Sequence, residues 1–331
     1  MQDVARAAQV SSTTVSFVLN KGENTQIPLE TRERVWAAVA QLGYRPNAMA
    51  RALRRGTSSL LGFVTDEIAT TPFAGMIVRG AQDVAWQHRR ILTMINTDHQ
   101  DELEQEALGA LLQHQVDAII LATMSHREIA VPAMLQGFPV VLVNAYSPDE
   151  QVPAVVPDDE RGGREATEHL LAHGHVRIGL IDNLDGAVAS VLRTAGYRQA
   201  LSAAGLPFNP ALVVQVSGWQ EAGFEGAMQL LQRPGRPTAL FCMNDRCAMG
   251  AYDAAQALGL RVPQDLSIIG FDNQDVIAAH LRPRLTTMQL PHYEMGQWGA
   301  QVLLEEKNLP SGRTLLHCPL VARQSVGRPT A

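Results

Sequence analysis

Residues 3–20, DVARAAQVSSTTVSFVLN, constrain this chain more than any other stretch. Val4, Ala5 and Ala8 put small apolar groups on one face at helical spacing. Ser11 stands where an N-cap belongs, with a hydroxyl able to accept a free backbone N–H of the next helix. A second helix over residues 12–19 then buries Val15, Val18 and Leu19 and turns Ser12, Thr13, Ser16 and Phe17 outward. A third, over 29–42, starts after Pro28 and stops at Gly43, with Val35, Trp36, Val39 and Leu42 expected to face inward. A short helix with a small polar leading edge, held at an angle by the helix before it, fits a DNA major groove. The pattern is a helix-turn-helix.

Charge supports this once the chain is divided. The whole carries −6, an unpromising value for a nucleic-acid binder. Residues 1–56, however, hold eight Lys/Arg against four Asp/Glu, and the remainder 19 against 29. A basic head on an acidic body is the distribution expected of a small reading module joined to a larger domain. At 331 residues and 46% hydrophobic, the chain can bury a sizeable core in two or three domains.

After residue 57 the pattern becomes an alternation of apolar strand-like runs and helical stretches. Strands are predicted at 60–65, 91–96, 118–122 and 139–144, with helices at 75–87, 101–114 and 128–135 between them. The rhythm repeats with strands at 177–181, 212–216, 238–242 and 267–271. Two such sets imply two α/β lobes with parallel sheets covered by helices. No apolar stretch has membrane-spanning length and no export signal opens the chain, so a cytoplasmic protein without membrane association is expected. Three cysteines in so long a chain favour reduced thiols.

DVARAAQVSSTTVSFVLN, followed by ETRERVWAAVAQLGYRPNAMARALRRG, resembles the N-terminal module of the LacI/GalR family of bacterial transcription regulators, and the α/β lobes resemble that family's periplasmic-binding-protein-like domain. The resemblance runs almost to the end of the chain. It implies a small all-α helix-turn-helix head (1–46), a hinge helix (47–57), and an α/β two-lobed effector-binding and dimerisation domain (58–331). Crossovers between the lobes are expected near 157, 284–290 and 319. The implied partners are an operator in double-stranded DNA, a second copy of the chain, and a small-molecule effector, a sugar by the chemistry of the site.

On the DNA side the resemblance implicates Ser12, Thr13, Ser16, Phe17, Asn20, Tyr44, Asn47, Arg51, Leu53 and Arg54. Leu53 stands at the family's leucine position, where it would wedge between two base pairs in the minor groove. Phe17 replaces a common Arg and suits either a thymine methyl or the core. Gln9 replaces a frequent Gly at the turn, and Pro28 a frequent capping Ser. For the effector, the matching positions are Phe73, Arg193, Trp219, Asn244 and Asp272, planar hydrogen-bonding groups and aromatic faces suited to a sugar. Capping by Asp245 or Asp272 and packing by Phe73 or Trp219 are the structural alternatives. Leu290 stands where the family often has Gln.

Enzyme signatures are missing: there is no G-x-S-x-G, no phosphate loop and no G-x-G-x-x-G. His169, His173 and His175 have metal-like spacing, but Gly174 reads as a helix stop between them. No cofactor is implied. The expected function is a ligand-responsive regulator, either a repressor released by its effector or one that needs a corepressor. The rival class is a small-molecule receptor without DNA binding.

Overall fold

The computed structural model describes residues 1–21, 27–44, 57–72, 74–184, 186–305 and 311–330. Two compact units emerge, Met1–Ser59 and Leu60–Ala331.

Among its described residues the first unit holds three helices, α1 (Gln2–Ala7), α2 (Ser12–Lys21) and α3 (Leu29–Gln41). Val4, Ala8, Val15, Val18 and Val35 form its core. Ser11 Oγ accepts the Thr14 N–H at 3.1 Å and so closes the first turn of α2. Gln9 bends the chain between α1 and α2 with φ 54°, the left-handed region that favours glycine. The inward placement of Trp36 and Leu42 does not hold: they are 51% and 47% exposed. Only Val35 and Ala38 of α3 are buried. Three short helices cover a narrow stripe of each other, and Trp36 lies about 100° round from Val35 on a 3.6-residue turn. Pro28 occupies the N-cap of α3 and supplies no side-chain cap.

Among its described residues the second unit contains two six-stranded sheets. In the first lobe β1 (Leu60–Thr65), β2 (Ile91–Asn96), β3 (Ala118–Glu128), β4 (Val140–Tyr146), β5 (Ala154–Pro157) and β11 (Arg313–Leu316) pair in the order β11-β5-β4-β3-β1-β2, all parallel. In the second, β6 (Ile178–Asn183), β7 (Val213–Val216), β8 (Ala239–Cys242), β9 (Ser267–Asp272), β10 (Thr286–Gln289) and β12 (Leu320–Val321) pair as β12-β10-β9-β8-β6-β7, with only β12 antiparallel. Each sheet has helices on its faces: α4 (Gly75–Gln87), α5 (Asp101–Gln113) and α10 (His292–Glu305) in the first lobe, α6 (Asp159–Ala172), α7 (Val188–Ala203), α8 (Gln220–Leu231) and α9 (Asp245–Ala257) in the second. Strands buried on both faces read as continuous apolar runs, which is why LLGFVT and SIIGF stand out in the sequence.

The helix predicted over 128–135 is absent. Glu128 extends β3 and pairs with Tyr146, Pro132 prevents a helix through the segment, and one 3₁₀ turn forms at Ala133–Leu135. The chain crosses between lobes after β5, after β10 and between β11 and β12. These crossings are tied together: the Asp158 N–H donates to the Leu316 carbonyl and the Gln289 N–H to the Pro319 carbonyl, each at 2.8 Å. Among the described residues no helix is long and apolar enough to cross a membrane.

Candidate effector cavity and reading helix

Between the carboxyl ends of the two sheets lies a cavity of about 710 Å³. Strand ends in wound α/β sheets point backbone groups and loop side chains into such a crevice. Arg193, Trp219, Asn244 and Asp272 all line it; Phe73 falls outside the described residues.

Arg193 is the centre of the second-lobe wall. Its Nε donates to Asp159 Oδ1 at 2.8 Å and one terminal nitrogen donates to the Met243 carbonyl at 2.6 Å. That same nitrogen lies 3.7 Å from Asp272, and the guanidinium carbon sits 3.6 Å over the Phe271 ring. Paired glycines allow this placement. A Cβ on Gly163 of α6 would stand 2.3 Å from the Arg193 carbonyl oxygen, and one on Gly196 of α7 2.0 Å from that of Glu160. The two helices therefore cross in backbone contact, which brings Arg193 within reach of the first residue of α6.

The buried charges perturb one another. Burial favours the neutral form of Asp159, but the Arg193 charge and a hydrogen bond from His126 outweigh it and hold the carboxyl below its usual range. For Asp272 burial prevails, raising the carboxyl despite Arg193. Asp245, beneath the cavity, is raised well above normal by burial and by repulsion from Asp272.

Asp272 has φ 103°, and Asn273 follows at 52°. Non-glycine residues held in this region cost on the order of 1–3 kcal/mol and occur where function over-determines the backbone. The Asp272 carboxylate accepts from the Gln274 side-chain amide at 2.9 Å, so its visible role is not a helix cap. Asn244 is the cap of α9, accepting the Cys247 N–H at 2.8 Å and donating to the Gly218 carbonyl at 3.1 Å. One amide hydrogen and one lone pair of Asn244 are left for a ligand. Trp219 is 64% exposed with Arg246 stacked 4.5 Å over its ring, so it is a wall of the cavity and not a core residue. Leu290 leaves an apolar patch on the wall where the family often offers an amide.

Sequence reasoning missed Asp159, His126, Ser190, Arg246 and Gln274, all of which line the cavity. Ser190 had a signal, since it lies one helical turn before Arg193 on the same face of α7. His126 and Asp159 had none, because their pairing joins two lobes.

The His169, His173 and His175 spacing does not converge. His169 and His173 lie against each other at 4.6 Å, whereas His175 spends both ring nitrogens on Thr238 and Ser267 at 2.9 Å. Among the described residues no group of three or more His, Cys, Asp or Glu is arranged to hold a metal.

On the head, Ser12 and Thr13 are exposed at the front of α2, Ser16 is half-buried, and Phe17 is 44% exposed and so outside the core. Tyr44 packs partly against the head's core. The Asn20 side chain and residues Asn47, Arg51, Leu53 and Arg54 lie outside the described set.

Residues 58–323 match the family described as periplasmic binding proteins and sugar binding domain of LacI family, and residues 1–47 match bacterial regulatory proteins, lacI family. This chain belongs to the LacI family. It is 33% identical to the HTH-type transcriptional repressor CytR of Escherichia coli K12, covering 98% of this chain and 95% of that one. It is 34% identical to the ribose operon repressor of Haemophilus influenzae, with 98% of each chain covered. The crystal structure of the lac repressor dimer bound to operator and the anti-inducer ONPF superposes with a TM-score of 0.83 at 30% identity over 98% of each chain. A LacI-family chain with both domains is a DNA-binding transcription regulator built to respond to a small ligand.

Proposed function

We propose that this LacI-family protein is a homodimeric repressor of carbohydrate-utilisation genes, released from a pseudo-palindromic operator by a neutral sugar. The observation that carries the ligand class is the buried Arg193–Asp159–Asp272 cluster at the back of the cavity, with the Trp219 face open at its side. A guanidinium already committed to two carboxylates, a carbonyl and a ring has little left for a phosphate. Carboxylate oxygens and an aromatic face suit hydroxyls and the C–H surface of a sugar. A volume of about 710 Å³ is within the usual span of small-ligand sites.

Dimerisation is supported by an apolar flank of the first lobe. Met76 and Trp86 on α4, with Ile91 and Met94 on the edge strand β2, are exposed. A second copy is the occupant we assign to it, as in the dimeric lac repressor. Two reading helices on one dimer then call for a two-fold operator. Effector binding would change lobe closure and withdraw the pairing of the two heads on DNA. The similarity to a ribose operon repressor agrees with a sugar. The exposed face of Trp219 would also stack a planar base, so a nucleoside is the second reading.

The test is to pass sheared genomic DNA over the purified protein and sequence what is retained, then elute with single sugars and nucleosides. One short palindrome beside carbohydrate genes, released by a sugar, is the expected result. Retention only in the presence of an added ligand would reverse the sign of regulation. No retention at low salt, where phosphate contacts alone suffice, would refute DNA binding.

A further inference from the structure

His126 reaches the cavity from the opposite lobe. It sits on the overhang of β3, where the register with β4 shifts between Ala122 and Arg127. That overhang is pinned on both sides. The Asn144 side-chain amide donates to the Thr123 and Met124 carbonyls at 3.0 Å, and the Met124 N–H donates to Asp66 at 2.9 Å. The imidazole is 5% exposed, lines the cavity, and lies edge-on to the Tyr146 ring at 5.7 Å. Its Nδ1 is 2.8 Å from Asp159 Oδ2. Its Nε2 is shielded from solvent and has no hydrogen-bond partner among the described residues.

A buried polar atom without a partner is rare in folded proteins and calls for an explanation. Asp159 also takes the Arg193 Nε–H, so it acts as an acceptor on both oxygens and the His126 proton belongs on Nδ1. In the neutral ring Nε2 is then an acceptor left without a partner, on a side chain that lines the cavity. We propose that His126 is an effector-binding residue of the first lobe, its Nε2 accepting a hydrogen bond from an O–H or N–H of the ligand held by Arg193, Asp272 and Trp219. The inference rests on the cavity being the effector site. The bound ligand would add a second link between the lobes beside the His126–Asp159 hydrogen bond already present, closing a ring from His126 through the ligand to Arg193 and back through Asp159. Analogues deoxygenated or O-methylated at that position would be selected against, because the nitrogen would again lack a partner.

The experiment is calorimetric titration of the full chain with D-ribose, D-glucose, cellobiose, cytidine and adenosine, repeated on variants with the probe that binds. His126→Phe keeps the ring volume and removes both nitrogens; it should weaken binding about 10- to 100-fold. His126→Gln can present N–H to Asp159 and oxygen to the ligand, and should recover most of the loss. A His126→Phe effect below about twofold, or a Gln variant as weak as Phe at unchanged melting temperature, would overturn the assignment. Asp272→Asn separates the two readings. If it weakens binding and His126→Phe does not, only the histidine inference fails; if neither does, the cavity is not the effector site and both fall. Should none of the probes bind, long-range ¹H–¹⁵N spectra of the ligand-free protein decide. A proton on Nδ1 supports the acceptor role, and one on Nε2 overturns it.

Discussion

The two lobes are built on the same winding, yet they equip the cavity differently. Their sheets run β2-β1-β3-β4-β5-β11 and β7-β6-β8-β9-β10-β12, so the ends of corresponding strands face the same crevice. The second lobe fills its side with a buried ionic cluster, Arg193, Asp159 and Asp272. The first offers hydroxyls, the Glu67 carboxyl, the Asn144 amide, Met124 and one imidazole, while its own buried acid, Asp66, pairs with the half-exposed Arg127. The winding decides where a ligand can sit; the side chains at strand ends decide which lobe grips it.

The largest effect expected from this contrast is at Arg193. Arg193→Leu leaves two carboxylates buried without their cation and should lower unfolding stability by about 3–5 kcal/mol in urea titration. Arg127→Leu in the first lobe opens a pair that water can reach and should cost under about 1 kcal/mol. Equal losses would break the comparison. The glycine crossings sharpen it next. Gly163→Ala drives a methyl into the Arg193 backbone, and Gly80→Ala into that of Tyr293 at 2.0 Å. Both should cost about 1–3 kcal/mol, but only Gly163→Ala should also weaken effector binding, by about tenfold.

Asp245 gives a smaller change of opposite sign. Its carboxyl is raised in the folded state, so the stability tied to it is full below the ordinary carboxyl range and is lost as pH rises through the raised value. Asp245→Asn should therefore raise the melting temperature by about 2–4 °C at pH 8 and by almost nothing below about pH 4. The smallest effect belongs to the head. Gln9→Gly relieves a left-handed residue and should gain about 0.5–1 kcal/mol there without altering effector affinity.

Much of this organisation was readable from residues alone. Long apolar runs such as AIILA and SIIGF announced the central strands because parallel sheets bury both faces. The short strands β5, β10, β11 and β12 were not foreseen. AVVP, TTMQ, RTLL and LV are short, and their pairing is set by the returning chain and not by their own pattern. Arg193, Trp219, Asn244 and Asp272 were visible through the family resemblance, and the chain does bring them to one cavity. His126 was not, since TMSHRE carries no strand-end signal and its partner lies 33 positions away in the other lobe. Trp36 misled for a plain reason: size suggests burial, but a three-helix head has too little surface to cover it.

The three chain crossings have a mechanical consequence. They lie side by side, β5 against β11 and β10 against β12, and are laced by the bonds from Asp158 to Leu316 and from Gln289 to Pro319. Three adjacent tethers stop two bodies from sliding past or pulling away from one another and leave rotation about a common axis as the soft coordinate. The cavity can widen or narrow, but groups facing each other across it keep the same opposite numbers. What such a protein hands on from its ligand is thus a single angle.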